Sequence, residues 1–106
     1  MGRCSRRPPV CSRYQRTAEL LGRRWSAAVL RVVLDGPVRF TEIRSSVDGL
    51  SARLLSERLR ELETAGLLER RERDGGAVEY RLTDKGRALA PVIHEIEAWV
   101  DAWDRT

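Results

Sequence analysis

The stretch FTEIRSSVDGLSARLLSERLRELETAGLLER, Phe40 to Arg70, constrains the fold more than any other part of the chain. Phe40, Ile43 and Val47 recur at the spacing of a short helix. Asp48-Gly49 supplies a turn, and Ser51 stands where a helix N-cap is wanted, its hydroxyl able to accept a first-turn backbone N–H. From there to about Ala65, Leu55, Leu59 and Leu62 fall at i, i+4 and i+7, on one helical face. At about 100° per residue, Arg53, Ser56, Glu57 and Arg60 point the opposite way. Gly66 then ends the helix. Two short helices joined by a tight glycine turn, the second with a polar and cationic outer face, form the pattern of a helix-turn-helix over residues 40–65. A generic amphipathic helical hairpin also has a polar outer face, so this piece alone leaves both readings open.

The flanking segments are helical too. Tyr14, Ala18 and Leu21 give a first helix from Ser12 to Leu21 that Gly22 stops. Trp25 opens a second apolar segment in which Trp25, Ala28, Val29, Val32 and Val33 make a broad stripe. Asp35-Gly36-Pro37 ends it with a turn and a residue lacking an N–H. Before these, residues 1–10 carry Arg3, Arg6 and Arg7 beside Pro8-Pro9. They read as a flexible basic tail to a single domain over residues 11–106.

Behind the helix-turn-helix comes ERRERDGGAVEYRLT, Glu69 to Thr83. Val78, Tyr80 and Leu82 alternate with Glu79 and Arg81, so one strand face is apolar and the other wet. The turn falls in Asp74-Gly75-Gly76, with two or three residues in the loop and the register undetermined. Arg70, Arg71 and Arg73 are strand or tip residues that a core cannot absorb. An arginine-rich ribbon following a recognition-type helix, over residues 67–82, is the wing of a winged helix, which reaches phosphates or the minor groove beside the helix's major-groove site. The plainer reading is a solvated hairpin in which Glu69, Glu72 and Glu79 neutralise the arginines.

TDKGRALAPVIHEIEAWVDAWDRT reads as a long last helix over residues 83–104. Leu89, Ile93, Ile96, Val100 and Trp103 recur at spacings of 4, 3, 4 and 3, a heptad-like seam that Val92 and Trp99 widen. Pro91 either kinks this helix or marks a late start. So large a terminal apolar face reads as a dimer interface, with Tyr14 of the first helix beside it, against simple packing on the chain's own core. The expected class is therefore mainly α with a small antiparallel β-hairpin: a winged helix-turn-helix with an additional C-terminal dimerisation helix.

Charge placement separates function classes. Before Ala88 the chain carries 19 Lys and Arg against 12 Asp and Glu; from Ala88 on it carries 1 against 4. A basic body with an acidic last segment suits a body that meets a polyanion. No apolar run approaches the ~18 residues of a membrane span, and MGRCSRRPPV lacks the apolar stretch of a secretion signal, so a cytoplasmic protein without membrane contact is expected. Cys4 and Cys11 lie too close in sequence to staple distant parts of a fold and are expected as reduced thiols. His94 is the only histidine. It cannot complete a four-ligand zinc site with these cysteines, nor does it have the Asp and nucleophile of a catalytic arrangement. Without a phosphate-binding glycine loop either, no enzyme, metal or cofactor is expected.

LLGRRWSAAVLRVVLDGPVRFTEI, SARLLSERLRELETAGLLERR and VEYRLTDKGRALAPVI resemble the HxlR family of bacterial winged-helix regulators, related to the MarR group, and most of all its YodB-type thiol-sensing members. The resemblance spans about Cys11 to Trp103. It implies a homodimeric DNA-binding transcriptional regulator, commonly a repressor, that grips an inverted-repeat operator. It also singles out a cysteine just before the first helix, fourteen positions ahead of the tryptophan, a spacing that Cys11 and Trp25 keep. A thiol at a helix N-terminus near Arg13 and Arg16 has its thiolate stabilised, which favours the reactive form; a bland N-cap residue is the alternative.

Several positions depart from the family. Ser12 stands where a proline usually follows the cysteine, and the wing is about two residues shorter and lacks prolines. The last helix and the helix-turn-helix hold no cysteine. Oxidation must therefore join Cys11 to Cys4 or to a second Cys11, or attach a small thiol or electrophile.

The residues expected to meet double-stranded DNA are Ser51, Arg53, Ser56, Glu57 and Arg60 on the helix and Arg71 and Arg73 on the wing. Arg53 is the choice for a guanine, whose O6 and N7 match its fork. Cys11 is the redox candidate, with a small electrophile or oxidant as inducer. Two alternatives remain: a regulator that ignores redox and binds a small molecule near Trp25, Trp99 and Trp103, and a winged-helix protein-interaction module that never touches DNA.

Overall fold

The computed structural model describes residues 10–104, so the expectations for Arg3, Arg6, Arg7, Pro8 and Pro9 lie outside the described residues. Helix α1 (Ser12–Gly22) begins directly after Cys11, its N-cap, and buries none of its residues; Leu20 and Leu21 rest against the core from outside. The chain then turns through Trp25, the one non-glycine with positive φ among the described residues, at 79°. Trp25 therefore stands before α2 (Ser26–Leu34) and not inside it. This shifts the stripe: Ser26, Val29, Leu30 and Val33 are buried, while Ala28 and Val32 are only half-buried.

Asp35-Gly36-Pro37 ends α2 as expected and delivers a strand that periodicity does not reveal. β1 (Val38–Arg39) is two residues long, too short for an alternation to register, and pairs antiparallel with the second hairpin strand, Val38 opposite Tyr80 and Arg39 opposite Glu79. The expected two-stranded hairpin is thus a three-stranded antiparallel sheet in the order β1-β3-β2, with β2 at Leu68–Glu72 and β3 at Val78–Leu82. Pairing runs from Leu68 opposite Leu82 to Glu72 opposite Val78. It continues to Arg73, whose N–H donates to Ala77 O at 2.6 Å. Three residues, Asp74-Gly75-Gly76, therefore close the loop, and both glycines adopt the left-handed backbone that a side chain would strain.

Helix α3 (Phe40–Ser46) buries Ile43 and is capped by Glu42, whose Oε1 accepts from Arg39 N at 2.9 Å. α4 (Ala52–Thr64) starts as the sequence predicts, Ser51 Oγ accepting from Leu54 N at 3.1 Å. It ends at Gly66, in the left-handed region, where Leu67 N reaches back to Leu62 O and Gly66 N to Glu63 O, each at 2.9 Å. Leu55, Leu59 and Leu62 are fully buried with Val29, Leu30, Val33 and Ile43, so the core lies between α2, α3, α4 and one face of the sheet.

Pro91 resolves as a late start. The expected long helix divides into α5 (Asp84–Arg87) and α6 (Ala90–Trp103), with Pro91 in the first turn of α6, where a missing N–H breaks no helical bond. α5 is tied to the end of α4. Thr83 Oγ1 accepts from Gly86 N and donates to Gly66 O, while Lys85 Nζ donates to Ala65 O at 2.8 Å. At Gly86 a Cβ would lie 2.1 Å from Leu67 O.

Gly86→Ala must therefore push α5 away from the Leu67 backbone and from Leu82 of β3, at a cost of roughly 1–3 kcal/mol. Gly22→Ala, with open space around it, should be neutral or stabilising by up to ~1 kcal/mol. Urea denaturation checks both; equal midpoints for the two variants would contradict the packing described.

Candidate nucleic-acid interface

The leucine stripe of α4, turned onto α2, fixes what faces outward. Arg53, Ser56 and Arg60 are exposed and Glu57 is half-buried, all four on the side of α4 opposite the leucines, whereas Ser51, also exposed, is the N-cap before the helix and does not share that face. Ser51 has part of its hydrogen-bonding capacity committed to the cap; its hydroxyl proton remains to donate. Arg53, with its side chain 89% exposed, has Nε 3.5 Å from Glu57 Oε1. An exposed pair of this kind is worth little and exchanges readily for another anion. Among the described residues Glu57 lies within ion-pair distance of Arg53 and not of Arg60.

On the wing both sequence readings find their residues. Arg81 sits opposite Glu69 and pairs with it, and Arg73 Nη1 lies 3.2 Å from Glu79 Oε1. Arg70 and Arg71 are exposed and have no carboxylate within ion-pair distance among the described residues. Together with Pro37 and Glu72, residues Arg71, Arg73, Glu79 and Arg81 line a polar cleft of about 310 Å³.

The sequence stripe on the last helix divides. Ile93 is buried in the chain's own core and Leu89 packs against it. These two seam positions are therefore satisfied within one chain. Tyr14, Val92, Ile96, Trp99, Val100 and Trp103 are 40–77% exposed. Leu89, the N-cap of α6, and Ile93 face the core, whereas the other apolar residues of the helix face outward.

A clamp sets the direction of that helix. Arg31 of α2 donates through Nε to Glu97 Oε2 at 2.8 Å and through Nη1 to Asp35 Oδ2 at 3.0 Å, and His94 Nδ1 lies 3.2 Å from the other oxygen of Glu97. The hydrogen bond from Arg31, and after it that with His94, holds the Glu97 carboxyl below its ordinary range; Glu97 and then Asp35 raise Arg31.

Cys11 stands where the sequence places it, but not as a reduced thiol. It is disulfide-bonded, with its partner outside the described residues. The spacing argument excludes a framework across the fold and does not exclude a local bridge. One important residue has no place in the sequence reading. Arg58, on the third turn of α4, is 8% exposed. Its signal was available, because on the helical wheel it falls about 40° from Leu62, at the edge of the leucine side.

One family pattern matches most of this chain. The pattern for the HxlR-like helix-turn-helix matches residues 20–106. The chain belongs to this family. It is 42% identical over 96 residues to the uncharacterized HTH-type transcriptional regulator YvaP of Bacillus subtilis, covering 89% of each chain. The solved reduced form of the transcriptional regulator YodB from B. subtilis superposes with a TM-score of 0.80 at 38% identity, covering 91% of this chain and 96% of that one. YodB has also been solved after diamide treatment and with quinone bound. The redox regulator HypR in its reduced form gives 0.78 at 31% identity, over 86% and 92% of the two chains. This chain is accordingly an HxlR-family transcriptional regulator with redox-sensing relatives. No helix among the described residues is long and apolar enough to cross a membrane.

The clamp on α6 gives a pH signature. A depressed carboxyl contributes stability above its ordinary value, near pH 4.3, and loses it as pH falls through the lowered one. Wild type should be more stable than Glu97→Gln at pH 6, and the difference should shrink as pH falls below the ordinary carboxylate range. Thermal midpoints from pH 6 downward check this; a gap that does not change with pH would assign the effect to packing instead.

Proposed function

We infer that this HxlR-family regulator is a homodimer that binds an inverted-repeat operator in double-stranded DNA, represses transcription, and releases the DNA when Cys11 reacts with an oxidant or electrophile. The observation that carries the reading is the outer face of α4, where Arg53, Ser56 and Arg60 stand exposed on a helix whose other face is locked into the core. Arg53 takes the O6 and N7 edge of a guanine, which its fork matches. Arg71 and Arg73 supply phosphate or minor-groove contacts from the wing. A second copy of the chain covers Tyr14, Ile96, Trp99, Val100 and Trp103, because a lone domain of this size gains nothing by holding three large aromatics in water. Leu89 and Ile93 support that surface from beneath.

The Cys11 assignment has two supports: its place at the start of α1, and relatives solved reduced, diamide-treated and quinone-bound. The chemistry is balanced in either form. Two thiols become one disulfide, giving two electrons and two protons to the oxidant, or the Cys11 thiolate adds to an electrophilic carbon.

One experiment addresses DNA and thiol together. Fragments of the source genome are selected on the reduced protein, and the selection is repeated after mild oxidation. The expected result is a small set of fragments sharing an inverted repeat, retained less as salt rises, lost on oxidation, and still held by oxidised Cys11→Ser. No retained fragment would remove the DNA reading; retention unchanged by oxidation would remove the sensor. On a selected fragment, Arg53→Ala should cost roughly 1–3 kcal/mol and relax sequence preference, whereas Arg73→Ala should weaken binding to every sequence about equally.

A further inference from the structure

We propose that Arg58 is a positioning residue for DNA recognition: it locks α4 to the corner between α1 and α2, and so sets the angle at which Arg53 and Arg60 are presented. The role builds on the DNA-binding reading above. Arg58 cannot itself be a DNA contact, since it is 8% exposed and its guanidinium is already engaged. Nε donates to Arg24 O at 2.8 Å, 34 residues away in sequence, and Nη1 donates to Glu61 Oε1 at 3.0 Å. The other oxygen of Glu61 lies 3.4 Å from Arg23 Nη2. One carboxylate on α4 and one carbonyl on the corner thus share a buried cation between them.

The same corner touches the helix-turn-helix a second time. Left-handed backbone at Trp25 points its ring at the turn before α4, where a Cβ on Gly49 would come within 3.3 Å of Trp25 Cη2. The Arg24 guanidinium lies over that ring at 4.7 Å from the centroid. Recognition helix α4 is therefore gripped at the turn that precedes it and again at its third turn, both times by Arg23-Arg24-Trp25.

Leucines alone cannot do this. Apolar burial is non-directional, so Leu55, Leu59 and Leu62 permit small rotations of α4 about its axis, whereas hydrogen bonds from a guanidinium hold only within a narrow range of angle. At a side-chain radius of about 5–6 Å, a rotation of 10° moves an outward group by on the order of 1 Å. That displacement is enough to spoil a bidentate contact to a base edge while leaving contacts to phosphates, which tolerate more freedom, in place.

The test uses the reduced full-length chain, the genomic fragment selected above and a scrambled duplex of equal length. Arg58→Met keeps the volume and removes both bonds; Glu61→Gln keeps the side chain's shape and removes its charge. Circular dichroism establishes that each variant is folded at the assay temperature. The expected result for Arg58→Met is about a tenfold loss of affinity for the selected fragment, with affinity for the scrambled duplex and the slope of log affinity against log salt unchanged. Glu61→Gln should show the same selective loss at about threefold, and it decides the matter if Arg58→Met does not fold. Equal loss on both duplexes would overturn the proposal in favour of a merely structural role, and a shallower salt slope in favour of a phosphate contact. A wild type that prefers its fragment, with both variants keeping that preference, removes the positioning role alone. A wild type with no preference for any duplex removes the DNA reading, and this role with it.

Discussion

The burial of one leucine face of α4 against α2 is the contact on which the rest of the molecule depends. Leu55, Leu59 and Leu62 are each about 1% exposed or less. Burying a leucine fully contributes roughly 1.5–3 kcal/mol, so these three residues alone account for a stabilisation comparable to that of a whole small domain. Their geometric effect is larger still. With one face of the helix committed to the core, everything opposite it is committed to solvent, and Arg53, Ser56 and Arg60 become a surface of fixed composition. The exposed face is the complement of the core rather than a separate design.

Around that contact the chain divides its charges by task. Paired arginines hold elements together: Arg58 joins α4 to the preceding corner, Arg31 joins α2 to α6 through Glu97, and Arg81 ties β3 to β2 through Glu69. Exposed ones on α4 and the wing remain available to an outside anion. A high arginine content therefore says less about nucleic-acid binding than the subset that stays exposed, whether unpaired like Arg71 or weakly paired like Arg53 and Arg73. α6 follows the same logic with apolar residues, its first part sealing the core through Leu89 and Ile93 and its remainder offering Ile96, Trp99 and Trp103 outward.

Much of this was legible in the sequence because it rests on local rules. The Ser51 cap, the Gly66 stop, the leucine periodicity of α4 and the Gly75-Gly76 loop each need only a few neighbouring residues to be recognised. What escaped depends on distant partners. β1 is two residues long and becomes a strand only because Tyr80 and Glu79 stand beside it. Arg58 sits at the edge of the leucine side of the wheel, but what a cation does there becomes plain only once Arg24 O is placed against it. Trp25 reads as the start of a helix, and only its packing on Gly49 explains why it adopts a left-handed backbone instead. Cys11 was correctly located by its position before α1, while its bonded state was not, because spacing says which thiols could join and not whether they are oxidised. Of the candidate interface, the list of outward residues could be read from periodicity; which of them are already paired could not.

The central claim is that two copies of α4 present their arginines to successive major grooves on one side of a duplex. A guanine-methylation interference footprint of the reduced protein on its selected fragment tests this most directly. The expected pattern is two equivalent sets of guanines whose N7 methylation blocks binding, related by the symmetry of the repeat and centred about 10–10.5 base pairs apart or a whole multiple of that. A single set of interfering guanines, or interference confined to methylated adenine N3 in the minor groove, would contradict it.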